Sequence, residues 1–221
     1  MALLLHIDTA LDRAFAGISN NGEILAAAVN EARNEHAAWL HVAVKRLMEE
    51  QQLSWKDIHA VSVNRGPGSY TGLRVGMAAA KGFCYAAGIP LITLSCTELI
   101  AYAAMEKPAD LYCAMIDARR MEVFTATYNS SFEEVTAPHG MVLDDKSFAD
   151  ELNSKTILFC GKGAEKFNAI CKHEHALFNI EDHELKHHVQ LSIKYFHHQL
   201  FSDIAYTEPL YAKSFYIKSK L

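Results

Sequence analysis

The order of hydrophobic and polar positions divides the chain into strand-like and helix-like segments. Residues 3–7 form a nearly continuous apolar run, which is typical of a buried strand. Alternating stretches at 13–19 and 23–29 flank Asn20-Asn21-Gly22, and Asn-Gly between two such runs favours a hairpin because both central residues tolerate positive φ. The first half therefore opens with three strands. Its other predicted elements are a helix at 34–52 that Asn34 can cap, strands at 58–63 and 91–94, and helices at 72–87 and 97–105.

A second series of the same kind begins at Leu111. Its predicted elements are strands at 111–116, 122–128, 133–143 and 156–160, and helices at 146–152, 163–171 and 189–201. Both halves contain three strands, a helix, a strand and a helix, which we interpret as a weak structural repeat with a boundary near Pro108. The sequence thus predicts an α/β protein with an N-terminal lobe at 1–108 and a C-terminal lobe at 109–221, whose final segment can pack back on the first lobe.

Composition and charge narrow the class of protein. Of the 221 residues, 50% are hydrophobic and 21% are charged, as in an ordinary soluble globular protein. A net charge of -5 argues against a broad basic surface for RNA or DNA, although a local patch stays open. Five cysteines without a CxxC pair indicate reduced thiols. With no signal-peptide pattern and no apolar run near the roughly 18 residues of a membrane span, we expect a cytoplasmic protein with no membrane contact.

The segment Arg65–Arg74 (RGPGSYTGLR) carries the most chemical information. It lies between a predicted strand and a predicted helix, where backbone N–H groups and the helix dipole favour an anion. Its spacing matches neither the Walker phosphate loop nor the dinucleotide GxGxxG, in which Thr71 would replace the third glycine. In the helix that follows, Gly72, Gly76 and Ala80 share one face, and each glycine weakens a helix by about 1 kcal/mol. We interpret this stripe as a site of close approach by another helix, which belongs either to a partner or to the chain itself.

Two acidic residues and the histidines are the candidates for catalysis or metal binding. Asp8 and Asp117 each follow an apolar strand, and paired acids at strand ends can organise a hydrated Mg²⁺ beside a nucleotide. Because no glycine stands next to either, we favour the alternative that both accept backbone N–H bonds in tight turns. His36 and His41 are five residues apart, a poor spacing for a chelate on a helix. We expect most other histidines on the surface, among them His173, His175, His183, His187, His188, His197 and His198. No GxSxG elbow or activated cysteine is evident, so we predict no catalytic residue and no metal site.

Several of these motifs together resemble the TsaB family. They are dense in the first half and sparse afterwards: Ile7-Asp8-Thr9-Ala10, His36, 65–74, 75–82, 89–91, 95–99, 117–124, 161–164 and Pro209-Leu210-Tyr211. The glycine-proline-glycine loop followed by Thr-Gly-Leu-Arg is highly specific to that family. The resemblance implies an actin-like, Hsp70-like (ASKHA) fold of two related lobes, each with a mixed sheet flanked by helices.

The resemblance also implies a function. It is that of a scaffolding and activating subunit that binds TsaD, with TsaE, for formation of N6-threonylcarbamoyladenosine at position 37 of tRNA. ATP and a divalent metal are then expected on the partners and no cofactor on this chain, and tRNA is contacted only through the complex. In the family the N-terminal helices contact TsaD and can also pair two copies. The implied interface residues are His36, Leu40, Val44, Tyr70, Thr71, Gly72, Arg74, Val75, Gly76, Ala79 and Ala80.

Departures from the catalytic paralogue TsaD imply a pseudo-enzyme. TsaD-like enzymes hold a metal through a His-x-x-x-His helix, but Leu40 stands where the second histidine would follow His36. Their second phosphate loop corresponds to Ala118-Arg119, without glycine. We therefore expect only a vestigial nucleotide cleft, formed by Asp8, Thr9 and Asp117. Two alternatives stay open: an ATP-dependent phosphotransferase that uses Asp8 and Asp117, and a metallopeptidase.

Overall fold

Two five-stranded mixed sheets, each flanked by helices, organise the chain. The computed structural model describes residues 2–32 and 35–212. The elements of the first half are β1 (Leu3–Asp8), β2 (Ala14–Asn20), β3 (Glu23–Asn30), α1 (His36–Glu50), β4 (Ala60–Asn64), α2 (Tyr70–Ala87), β5 (Leu91–Leu94) and α3 (Cys96–Ala104). The elements of the second half are β6 (Leu111–Asp117), β7 (Glu122–Asn129), β8 (Glu134–Val142), α4 (Ala149–Leu152), β9 (Ile157–Cys160), α5 (Ala164–Ile170), β10 (Ala176–Asn179) and α6 (Leu185–His197).

The two sheets have the same topology. The first has the order β3-β2-β1-β4-β5 and the second has β8-β7-β6-β9-β10 when it is followed in the same direction. In each, the first strand of the half is central, antiparallel to the next strand and parallel to the fourth. This shared topology confirms the predicted fold class of two related lobes, each with a mixed sheet flanked by helices.

Most predicted elements lie within a few residues of the observed ones, with two exceptions. The strand β10 is absent from the prediction, and α6 begins and ends four residues earlier than the predicted 189–201. Asn34, the predicted cap of the first helix, lies outside the described residues, and α1 begins at His36. Among the described residues, every helix is too short or too polar to span a lipid bilayer.

Helices cover both faces of the first sheet. On one face α1 and α2 bury residues such as Leu40, Leu47 and Met77 against Leu5 and Val61 of the strands. On the other face α3 and α6 lie together, and α3 also contacts β6, β7 and β9 of the second sheet. The helix α3 therefore sits between the two halves and joins their cores.

The chain returns to its first half after β10. Leu191 of α6 packs on Leu4, Ala60 and Ile92 of the first sheet. Residues 202–212, here called the C-terminal strap, then lie along the first half of the chain. At the start of the strap, the N–H of Ser202 donates to the carbonyl of Leu91 on β5 at 2.8 Å. Farther along, the N–H of Leu210 donates to the carbonyl of Arg65 at 2.7 Å, beside the glycine-rich turn.

Candidate functional site

The glycine-rich turn between β4 and α2 lies directly against the end of β1. A Cβ added at Gly68 would stand 2.2 Å from the carbonyl oxygen of Ala10, and one at Gly72 would stand 2.0 Å from that of Thr9. The N–H of Ser69 donates to the Ala10 carbonyl at 2.7 Å, and the Thr9 hydroxyl donates to the Gly72 carbonyl at 2.7 Å. The glycines therefore serve a close approach between two parts of the chain's own backbone.

The small-residue stripe of α2 has the same internal cause. A Cβ at Gly76 would lie 2.4 Å from the Thr9 hydroxyl oxygen and 3.6 Å from methyl carbons of Ile7 and Val63. Ala80, on the same face, is fully buried in the core beneath α1 and α2. Of the two explanations that the sequence allows, internal packing is the one that the structure bears out for this stripe.

The implied interface residues divide into a buried and an exposed group. The structure covers seven of them with the chain itself: His36, Leu40, Val44, Gly72, Gly76, Ala79 and Ala80. Their placement on a surface is corrected, because helical periodicity turns these positions toward the sheet. Tyr70, Thr71 and Arg74 are exposed and Val75 is partly buried, so these four stay predicted interface residues.

Other exposed residues on the same two helices are missing from the sequence-based set. Ala78, Gly82 and Tyr85 of α2 and Val42 of α1 face solvent, Val42 with 68% and Tyr85 with 84% of their surface exposed. The spacing Thr71, Val75, Ala78, Gly82, Tyr85 is four, three, four and three residues, which is the heptad pattern of a helix–helix seam. This heptad pattern can be read from the sequence, and it lies on the face of α2 next to the stripe of Gly72, Gly76 and Ala80.

Two aromatic contacts fix the borders of this exposed surface. At the C-terminal end of α2, the rings of His41 and Phe83 lie 5.6 Å apart and hold α1 beside α2. At the N-terminal end, the guanidinium carbon of Arg74 lies 4.4 Å from the Tyr70 ring centroid, and its Nε donates to the hydroxyl of Tyr211 at 3.3 Å. The C-terminal strap thus forms one edge of the α2 surface.

Asp8 is fully enclosed and its carboxylate is engaged on both oxygens. Oδ1 accepts the N–H of Ala10 at 2.9 Å, while Oδ2 accepts Nδ2 of Asn64 and Nε2 of His183, each at 2.7 Å. Burial by itself would raise the pKa of Asp8, but the hydrogen bond of His183 and the nearby His183 and His188 rings lower this pKa well below its ordinary value. The carboxylate is therefore ionised and has its partners within the protein.

A polar cleft of about 890 Å³ separates the two halves. Ser69 and Tyr70 line it from the first half, and Asp117, Arg119 and Lys162 line it from the second. Asp117 is exposed and its Oδ1 accepts Nζ of Lys166 at 2.7 Å. Of the three predicted cleft residues only Asp117 lines this cleft. Asp8, with 1% of its surface exposed, lines an adjoining pocket of about 420 Å³ that shares Leu11, Lys162, Ile180 and Asp182 with the cleft, and Thr9 is buried.

The histidines, cysteines and acids are the side chains that could bind a metal ion. Within residues 2–32 and 35–212, no group of three or more such side chains could hold a metal ion. His36 instead has its ring nitrogens 3.3 Å from the Asn30 amide and 3.3 Å from the Leu11 carbonyl oxygen. Its partners are thus side-chain and backbone groups of the adjacent loops.

Three histidines contradict the expected surface location. His183, His187 and His188 are buried, with 8%, 9% and 0% of their surfaces exposed. Ser62 Oγ, on β4, lies 2.9 Å from Nε2 of His188, although 126 positions separate the two residues in the sequence. No local pattern could have indicated this contact.

Comparisons with known proteins agree with this architecture. The family model for "TsaD: tRNA N6-adenosine threonylcarbamoyltransferase" matches residues 28–213. The chain belongs to this family. Its TsaB relatives include the protein of Escherichia coli, which is 34% identical over 126 residues, and that of Bacillus subtilis, which is 27% identical over 161 residues. The first match covers 57% of this chain and 54% of the E. coli protein, and the second covers 72% and 70%. The match therefore spans about half the length of the E. coli TsaB.

A solved structure supports the fold over nearly the whole chain. YeaZ from Pseudomonas aeruginosa superposes with a TM-score of 0.79 at 22% sequence identity, over 96% of this chain and all of that one. The resemblance to TsaB is thus confirmed by curated relatives in this family, and the two-lobed fold by the solved structure.

Proposed function

We propose that this chain acts in tRNA threonylcarbamoyladenosine biosynthesis as the scaffolding and activating subunit that binds TsaD, with TsaE joining the assembly. The names of the curated relatives, "tRNA threonylcarbamoyladenosine biosynthesis protein TsaB", support the pathway. The observation that supports the binding role is a heptad series on the solvent side of α2, in which Val75 is partly buried and the other four residues are exposed. Thr71, Val75, Ala78, Gly82 and Tyr85 form this series, here called the α2 seam.

The α2 seam fits a partner helix better than a small ligand. Its central residues, Ala78 and Gly82, are small and exposed, and a Cβ added at Gly82 would meet no atom of the described residues within 4 Å. A second helix can therefore approach the backbone closely at this point, while Tyr85 supplies a large apolar contact at one end. The same surface can pair two copies of this chain, because a helix seam of this kind can be self-complementary.

In this assembly the partners, and not this chain, carry out the reaction that forms threonylcarbamoyladenosine. Both oxygens of Asp8 are occupied by internal donors, and Leu40 is buried at the position where a TsaD-like metal site would need histidine. ATP and a divalent metal accordingly belong to TsaD and TsaE in this proposal, and tRNA is reached only through the complex, in the cytoplasm. The internal bonds of Asp8 also oppose the alternative of a phosphotransferase that uses Asp8 with Asp117.

The test is the affinity of purified chain for purified TsaD, measured by titration calorimetry. Ala78→Arg places a long charged side chain at the centre of the α2 seam and should weaken binding at least about tenfold, as the loss of an interface centre does. Gln190→Arg adds the same charge at an exposed position of α6, on the opposite face of the first sheet, and should bind like the unmodified chain. Unchanged affinity of a folded Ala78→Arg chain would refute the seam as the TsaD contact.

A further inference from the structure

A cluster of ionisable groups is enclosed where α6 meets the first sheet. It consists of His6 and Asp8 of β1, His188 of α6 and His183 of the preceding connection, here called the histidine cluster. Nε2 of His183 lies 2.7 Å and Nδ1 of His188 lies 3.9 Å from Oδ2 of Asp8. The rings of His6 and His188 are 5.4 Å apart, and both side chains are completely buried. Two imidazoles thus approach one carboxylate, and the third lies against the ring of His188.

Hydroxyl groups connect His188 to the first sheet. Ser192 Oγ donates to the carbonyl oxygen of His188 at 2.6 Å and to Ser62 Oγ at 2.8 Å, and Ser62 Oγ lies 2.9 Å from Nε2 of His188. Within the described residues, Nδ1 of His188 is buried without a hydrogen-bond partner, as are Nδ1 of His6 and of His183. A proton added at one of these nitrogens would place a further charge in the interior.

The surroundings can compensate little additional positive charge. Facing the cluster, β2 contributes the Phe15 ring and the Ser19 hydroxyl, and β4 contributes Ser62 and the neutral amide of Asn64. From α3 comes Cys96, whose thiol stays neutral because burial, and then the charge of Asp8, raises its pKa.

Farther out, Asp8, His183 and His187 line a pocket that also carries charged residues of both signs, the acids Glu106, Glu181, Asp182 and Glu184 and the cations Arg13, Lys107, Lys162 and Lys186. Asp182 is paired with Lys162 at 3.3 Å and Glu184 with Lys186 at 3.5 Å. Asp8 can balance one protonated imidazole, but a second or third would be an uncompensated buried charge.

The acid–base behaviour of the cluster follows in sign from its burial. Burial, and then the charge of His188, lowers the pKa of His6 well below its ordinary value of 6.5. Burial also lowers the pKa of His188, although Asp8 acts in the opposite direction. Below pH 6.5 the unfolded or undocked chain therefore binds more protons than the docked one. The contribution of His6 and His188 to the docking of α6 is therefore complete above pH 6.5, and it is lost as the pH falls toward their lowered pKa values.

We propose that the histidine cluster is a pH-sensitive latch, which holds α6 on the first sheet while the imidazoles of His6 and His188 are neutral and releases α6 when acid charges them. The latch is independent of the proposed function. Each imidazole takes its proton from water, and each proton beyond the first adds one positive charge that Asp8 does not balance. The helix can respond separately because it reaches the sheet after β10, through Leu185, Val189 and Leu191.

The latch is tested by measuring hydrogen exchange of the α6 amides in the full chain at about pH 7.5 and at about pH 5.5. The measured rates are corrected for the pH dependence of intrinsic amide exchange. Each titrating histidine can lower the docking constant by up to about tenfold per pH unit. We expect α6 to lose at least about tenfold protection at the lower pH while α1 and α5 keep theirs. Equal protection of α6 at both pH values would overturn the proposal, as would an equal loss in every element, because that is global unfolding.

Two variants separate the cluster from histidine in general. His6→Gln retains a group that can bond to the Ser19 hydroxyl, which lies 2.7 Å from His6 Nε2, but it cannot take a charge. His6→Gln should reduce the pH-dependent loss of hydrogen-exchange protection in α6. His197→Gln, at an exposed histidine of the same helix, should leave that loss of protection unchanged. A folded His6→Gln chain with the full loss would overturn the role of the cluster. If that variant does not fold, the comparison of the unmodified chain at two pH values still decides.

Discussion

At the scale of single residues, neighbouring glycines of α2 have opposite roles. Gly76 faces the Thr9 hydroxyl at a distance that leaves no room for a methyl group, whereas Gly82 faces open space. The sequence shows both as glycines in a helix. If the stripe of Gly72, Gly76 and Ala80 contacted a partner helix, a bulky residue at Gly76 would be expected to break assembly while sparing the fold. Because Gly76 is buried against β1, that expectation is corrected: a bulky residue there disrupts the fold itself.

Gly76→Ala and Gly82→Ala form a matched pair on one helix. The first should lower the free energy of unfolding by about 2 kcal/mol, because its Cβ forces β1 and α2 apart. The second should raise it by roughly 0.5–1 kcal/mol, because alanine is the better helix former and meets no obstacle. Urea unfolding of both variants measures the difference. Equal effects of the two substitutions would contradict the assigned packing.

Asp8 shows how a residue chosen for its chemistry can have a structural role. Asp8→Asn turns one acceptor into a donor that faces the Asn64 amide or Nε2 of His183. The variant should lose about 2–4 kcal/mol of stability, since a buried network is broken. Asp117→Asn, at an exposed carboxylate, should change stability by about 0.5 kcal/mol or less. Thermal unfolding distinguishes them, and an Asp8→Asn chain as stable as Asp117→Asn would disprove the network's contribution.

At the scale of elements, the sequence predicts a helix or strand correctly where its own hydrophobic pattern and its flanking residues determine it. The strand at 91–94 is predicted with its observed bounds, because it is apolar and follows the Gly88–Pro90 break. β10 is missed because its four residues are half-buried and show no alternation. α6 is predicted four residues late because His187 and His188 look like polar loop residues, whereas distant partners on the first sheet bury them. Tertiary contacts, which a single sequence does not display, decide these two elements.

The C-terminal strap depends on Lys81, whose Nζ donates to the carbonyls of Ala205 at 3.2 Å and Thr207 at 3.0 Å. Lys81→Met removes both bonds and should lower the stability of the strap by about 1 kcal/mol. The strap should then be cleaved faster by a protease at low concentration. Lys45→Met, which removes only an exposed pair with Glu49 on α1, is the control and should leave cleavage unchanged. Identical cleavage of the two variants would show that Lys81 does not hold the strap.

At the scale of the whole molecule, the fold was predictable and the set of solvent-exposed helix residues only partly so. The repeated order of elements and the RGPGSYTGLR segment are enough to predict two lobes of one family. The choice of which helix face meets solvent depends on how α1 and α2 lie on the sheet. For that reason Gly76 and Ala80 were placed on a surface that they do not reach, while Ala78 and Gly82 were overlooked.

Stability of the whole chain should fall in two steps as the pH decreases. His6 and His188 have lowered pKa values, so their contribution is full above 6.5 and declines below it. Asp8 also has a lowered pKa, so its contribution is full above its ordinary value of 3.8 and is lost only as the pH falls below that. The melting temperature measured across this range should therefore begin to fall below about pH 6.5. A constant melting temperature down to about pH 4 would contradict the buried histidine assignment.

The central claim is that this chain is the required scaffolding subunit of threonylcarbamoyladenosine formation. Its most direct test is tRNA modification by purified TsaC, TsaD and TsaE with ATP, threonine and bicarbonate, with this chain present or omitted. We expect product only when the chain is present, and much less product with a folded Ala78→Arg chain. Equal product formation without the chain would contradict the claim and would assign this protein a different activity.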